Sequence, residues 1–231
     1  MKKLVIVLAV GVLVATTPAA AAIVLVGSTM NIFGASHPAP PLAPSPGTEG
    51  INPVLALTGL TAGNIIQFLS VTGTTTCGVN APCTTSIGPD GANLSFAVGS
   101  QNGTNVFDGA GTGQSGLTFD NRYMFLVGVF LGAAEASGAD PVTLVYTDAG
   151  ALLGSYSPLL GQTFFVGDGQ GTGGTQSFIA PVGATRLFLG FLDSFDNMDG
   201  FAGAYTDNTG ELTVDVAVIP EPGTFVLLGL G

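Results

Sequence analysis

The sequence predicts an all-β fold, a β-sandwich or jelly roll built as a single domain, and three observations carry that expectation. From Pro53 onward, short runs of β-branched and aromatic residues alternate with Gly, Asn, Asp and Pro turns. Glycine is abundant, at 36 of 231 residues, while 46% of the chain is hydrophobic, so a substantial core is possible but is broken often by turns. No run shows a helical 3.6-residue period outside the two ends.

In chain order, Met1-Lys2-Lys3 is a basic start, residues 4–14 form an apolar core, and Ala20-Ala21-Ala22 supply small residues for cleavage. Residues 1–22 therefore read as a helical secretory signal peptide, cut near Ala22. An uncleaved anchor is the lesser alternative, because the apolar core is short for a bilayer span of about 20 residues. Residues 23–52 hold a possible first strand at 23–26 and then the stretch HPAPPLAPSPGTEG, whose closely spaced prolines favour an extended linker. The domain proper is expected over 53–218, with strands at 54–58, 64–72, 93–98, 123–131, 142–146, 163–166, 175–179, 186–192 and 211–218. The 123–131 run is apolar on both faces, as a strand buried on each side requires.

Charge excludes whole classes of function. The formal net charge is −11, and loss of Lys2 and Lys3 with the signal would leave Arg122 and Arg186 as the only basic side chains. Nucleic acid is excluded, since neutralising phosphates needs clustered Lys and Arg. Divalent cations suit so acidic a surface, although the charge also serves simply to keep an exported protein soluble. Arg186, alone at the start of a strand, is expected to pair with Asp207 or Asp215.

Catalysis finds little support, and the chain is read as a non-enzyme. His37 is the only histidine and lies in the proline-rich stretch, which disfavours Ser-His-Asp, Cys-His and histidine-rich zinc arrangements. The stretches Gly111-x-Gly113-x-x-Gly116 and Gly169-x-Gly171-x-x-Gly174 match the dinucleotide fingerprint, but neither is followed by a helix start that could receive a pyrophosphate. Aspartates are numerous enough for a paired-carboxylate hydrolase, yet none is singled out by its surroundings. Cys77 and Cys83 bracket a short Gly/Pro/Asn loop and are expected to form a disulfide, with a metal site as the minor alternative.

The stretch with the most chemistry is 181–218, where Asp193, Asp196, Asn197, Asp199, Asp207 and Asn208 crowd a loop between two strands. Calcium takes six to eight oxygens at about 2.3–2.6 Å, and a glycine-rich loop can turn its own carbonyls inward beside such side chains. The spacing departs from the EF-hand pattern, and acidic and amide residues are also ordinary turn formers. Gly203-Ala204-Tyr205-Thr206-Asp207-Asn208-Thr209-Gly210, followed by an alternating strand, resembles the C-terminal part of the small calcium-dependent, galactose-binding bacterial lectins. That resemblance implies calcium ligation by Asp199, Asp207 and Asn208 with backbone carbonyls, and a saccharide held through the ion. The upstream Asp sits one residue early, and Ala204 stands where those lectins place a Thr ligand.

At the other end, Pro220-Glu221-Pro222 leads into the apolar run 224–231. This resembles the PEP-CTERM sorting signal of bacterial surface proteins, in which the tripeptide precedes a membrane helix and an arginine cluster. Here 219–231 reads as a truncated form of that signal and its helix. The resemblance implies processing by an exosortase-type protease and delivery to the cell envelope, the surface or the exopolysaccharide matrix, with membrane contact only through the terminal segments. The sequence thus leads to two expectations. One is an exported calcium- and saccharide-binding module; the other is a structural, self-assembling matrix protein with homo-oligomeric contacts.

Overall fold

A computed structural model describes residues 21–41, 47–78, 84–93, 112–119, 122–193 and 203–219. The strands in order are β1 (Ala21–Gly27), β2 (Val54–Thr58), β3 (Ile65–Thr76), β4 (Ala92–Asn93), β5 (Leu117–Phe119), β6 (Arg122–Tyr123), β7 (Leu126–Leu131) and β8 (Leu144–Tyr146). They continue as β9 (Ser155–Tyr156), β10 (Thr163–Phe165), β11 (Gln170–Gly171), β12 (Gly174–Thr175), β13 (Ser177–Ile179), β14 (Arg186–Phe191) and β15 (Thr209–Ile219). The described chain is nearly all-β, with helical structure confined to short 3-10 turns.

Two larger sheets dominate. The first runs β1-β15-β3-β13-β9 and the second β10-β7-β14-β2. The pairs β4-β6, β5-β8 and β11-β12 form separate two-stranded sheets. β15 organises the first sheet: it pairs with β3 from Thr209↔Thr76 to Ile219↔Ile65, and with β1 on its other side. Leu212, Val214 and Val216 alternate into the core, the period-2 pattern that specifies one buried face. Near one end of this ladder the backbones pass too closely for side chains. A Cβ on Gly73 would lie 2.4 Å from the Glu211 carbonyl oxygen, and one on Gly210 would lie 2.3 Å from that of Thr74. Both glycines also have positive φ, 114° and 90°, so the crossing requires the residue without a Cβ.

In the second sheet every residue of β7 is buried between β10 and β14, as its continuous apolar run demands. The sheets meet where Phe164 of β10 stacks on Phe178 of β13, with ring centroids 5.2 Å apart. Phe68, Phe130 and Leu187 belong to the same buried apolar cluster, and the partly buried Tyr156 packs against it.

The expected strands are largely found, with instructive differences. β2 coincides with 54–58, whereas β3 runs on to Thr76. The expected strand 123–131 is two strands in different sheets, because Met124 takes a left-handed φ of 52° and redirects the chain between β6 and β7. The 175–179 run likewise divides at Gln176, which is fully buried and whose side-chain amide donates to the carbonyls of Ala151 and Leu153. The second glycine fingerprint forms the β11-β12 pair and leads into β13, so no helix follows it. Residues 94–98 of another expected strand lie outside the described residues.

Three further expectations meet specific geometry. Ala21 and Ala22, read as the end of the signal, pair with Ala217 and Val216 in the first sheet, while residues 1–20 lie outside the described ones. The proline-rich stretch is tied to the body: Asn52 Nδ2 donates to the His37 carbonyl at 2.9 Å, and His37 Nδ1 lies 2.7 Å from Glu135 Oε1. Arg186 pairs with neither Asp207 nor Asp215. Its Nε donates to the Gly132 carbonyl at 2.7 Å and its Nη2 to Ala134 O at 2.8 Å and Ser36 Oγ at 3.0 Å. The rigid guanidinium fork is thus filled by the carbonyls of a turn that the chain brings to the end of β7, not by a distant carboxylate.

Candidate cation site at the 193–208 loop

β14 ends at Phe191 and delivers Asp193 into the interior, where its residue is only 8% exposed. The chain returns at Gly203, passes through Ala204 in the left-handed region (φ 61°), makes a 3-10 turn over Tyr205–Asp207, and enters β15 after Asn208. The Asn208 N–H closes this turn on the Tyr205 carbonyl at 3.3 Å.

Tyr205 anchors the turn. Its side chain is fully buried, and Gly50 makes room for it, since a Cβ there would lie 2.6 Å from Tyr205 Cβ. The phenol donates to the Phe191 carbonyl at 3.2 Å and accepts from the Asp193 N–H at 3.1 Å. Burial pushes the hydroxyl well above the ordinary tyrosine range, and the nearby Asp193 charge pushes it further, so it stays a proton donor. The main chains before and after the loop are therefore clamped together by one side chain.

Asn208 completes the site. Its Nδ2 donates to Asp193 Oδ2 at 2.8 Å, to the Ser28 carbonyl at 3.3 Å and to Met124 Sδ at 3.5 Å. Its Oδ1 is buried and has no hydrogen-bond partner among the described residues. An unsatisfied buried acceptor costs about 1–3 kcal/mol, so this oxygen invites an electron-poor partner. The guanidinium groups of Arg122 and Arg186 do not supply one: Arg122 binds Asp148 Oδ1 and the Asp90 carbonyl, and Arg186 is held as described above. Two of the non-glycine residues with positive φ, Met124 and Ala204, border this site. Sparsely populated backbone conformations of this kind collect at functional sites.

Of the expected ligands, Asn208 is buried in this cluster whereas Asp207, one residue earlier, is exposed. Asp199 lies outside the described residues. Asp193, which the spacing placed in the acidic loop but not among the ligands, is the carboxylate that meets Asn208. The signal for it was its position, two residues beyond an apolar strand and still in phase to point inward. Among the described residues no group of three or more His, Cys, Asp or Glu side chains converges. The side-chain oxygens buried here, the Asp193 carboxylate and Asn208 Oδ1, are of the type a hard cation takes.

Compared with protein-family models, curated proteins and solved structures, the chain matches none. Cys77 is disulfide-bonded, while its expected partner Cys83 and the Pro220-Glu221-Pro222 box lie outside the described residues.

A second acidic feature makes a pH test possible. Asp90 is half-buried, and its Oδ1 accepts the Asp168 N–H at 2.8 Å. Desolvation raises its pKa above 3.8, opposed by that hydrogen bond, reinforced by the Asp168 charge and lowered again by Arg122. A carboxyl whose folded pKa is raised favours folding below its unfolded pKa, and that contribution is lost as pH rises through the folded value. Asp90→Asn keeps the acceptor and removes the charge, so its thermal midpoint at pH 7 should exceed the parent's. The gap should close as pH falls below 3.8, which parallel melts across pH will read.

Proposed function

We propose that this chain is an exported surface or exopolysaccharide-matrix protein whose β-sandwich carries a calcium-dependent, carbohydrate-binding-like site at the 193–208 loop. The observation that carries the reading is the Asn208 amide, whose nitrogen donates to the buried Asp193 carboxylate while its own buried oxygen finds no partner among the described residues. A calcium ion there would satisfy that oxygen and offset a buried charge at once. Asp193 and Asn208 would hold it, with Asp199 as a further ligand that the lectin resemblance implies; Asp207, which the resemblance also implies, is exposed, and a saccharide would be held through the ion. Export and exosortase sorting rest on the signal-like start and the Pro220-Glu221-Pro222 box.

Calorimetric titration of calcium into the full chain tests the proposal. The parent should release or absorb heat with a saturable profile, and Asn208→Ala and Asp193→Asn should each weaken binding by about tenfold or more. Equal profiles for the parent and both variants would remove the site. A glycan array probed with and without a chelator then separates a sugar-binding ion from a purely structural one. The second reading, a self-assembling matrix protein, is favoured by one feature of the first sheet, the bare outer edge of β1.

A further inference from the structure

We infer that two copies of this chain pair through β1, edge to edge and antiparallel about Val24, joining their first sheets into one continuous sheet. β1 is a terminal strand: among the described residues it pairs with β15 alone. An edge strand presents a row of unpaired N–H and C=O groups, and proteins that must stay monomeric blunt such edges with charge, proline or bulges. β1 has none of these. Its seven residues, AAIVLVG, are uncharged and proline-free, and its register against β15 is continuous from Ala21 to Gly27.

The exposed residues indicate what lies against it. Ile23 is 73% exposed and Leu25 is 52% exposed, both on the same face of the strand. Pairing two antiparallel copies about Val24 sets Ile23 of one copy opposite Leu25 of the other, and Leu25 opposite Ile23, so each exposed side chain gains an apolar cross-strand neighbour. The same register sets the half-buried Val24 against its own copy and Ala22 against Val26, again apolar on apolar. The strand is therefore complementary to itself, which a two-fold contact requires. Charge points the same way. The chain carries a net −11, so two copies repel over most of their surfaces, and β1 is an approach that sets no charge against charge along the paired strands. This contact does not depend on the cation site and should form with or without calcium.

Single cysteines introduced into the full chain read the register directly. Residues opposite one another in an antiparallel pair have Cα atoms about 4.5–5.5 Å apart, within the range a disulfide spans. Val24→Cys should give a cross-linked dimer on non-reducing gels. Ile23→Cys and Leu25→Cys should each give little alone but should cross-link when mixed, since each faces the other across the axis. Leu25→Lys, at an exposed position, should leave the thermal midpoint of the fold in place while shifting the parent from dimer to monomer by light scattering. A monomeric parent, equal cross-linking at all three positions, or open polymers in place of dimers would each overturn the inference.

Discussion

Phe178→Ala should lower stability by about 3–5 kcal/mol, among the largest single-residue losses available in this chain. The reason lies in where one ring sits. Phe178 is 0% exposed, stacks on Phe164 at 5.2 Å and on Tyr156 at 5.3 Å, and meets Phe68 edge-on at 5.2 Å. Phe164 belongs to the second sheet, while Phe68 and Tyr156 belong to the first. Truncation therefore removes the contact by which one sheet grips the other, and it opens a void where β13 has only the residues Ser177–Ile179 to hold it in place. For a body of this size the thermal midpoint should fall by roughly 10 °C. Val182→Ala, at a residue 85% exposed, should stay within about 0.5 kcal/mol of the parent. Circular-dichroism melts of both variants check this, and a Phe178→Ala midpoint close to that of Val182→Ala would mean that the sheets do not share a core.

Which parts of this arrangement were readable in advance follows from the range of the forces involved. Alternation in 211–218 and the unbroken apolar run at 126–131 are local patterns, and each marks its strand and its burial without knowledge of the partners. The break at Met124 is different in kind. Nothing in Tyr123-Met124-Phe125 is a turn signal, and the left-handed angle is imposed by the need for β6 and β7 to serve separate sheets. Arg186 shows a similar limit. A lone cation among many carboxylates suggested an ion pair, but the turn at 132–134 offered preformed carbonyls at shorter range. At the candidate site, spacing drew attention to the acidic loop and to Asn208. It could not separate Asn208 from its neighbour Asp207, because a 3-10 turn decides which of two adjacent side chains faces inward. Nor could it pair Asn208 with Asp193, since that contact spans the loop and depends on how Tyr205 fastens its two ends.

Tyr205 is accordingly where fold and site should fail together. Tyr205→Ala removes a fully buried ring and should cost about 3–5 kcal/mol, a loss on the scale of Phe178→Ala. Tyr205→Phe is the sharper variant, since it keeps the ring and removes only the hydroxyl. The Asp193 N–H and the Phe191 carbonyl then lose their partner, at an expected cost of about 1–3 kcal/mol. With the Asp193 main chain loosened, the calcium affinity proposed for the site should fall by about tenfold even though no ligand has been touched. High pH supplies an independent readout of the same hydroxyl. Its folded pKa lies above the ordinary 10.0, so the stability it confers is complete below that value and declines above it, where the unfolded chain ionises and the folded one does not. The stability gap between parent and Tyr205→Phe should therefore narrow as pH rises past 10.0. Denaturant unfolding at stepped pH measures that gap. A gap unchanged through this range would show that the phenol is not held protonated between Phe191 and Asp193, and the clamp that brings Asp193 to Asn208 would have to be abandoned.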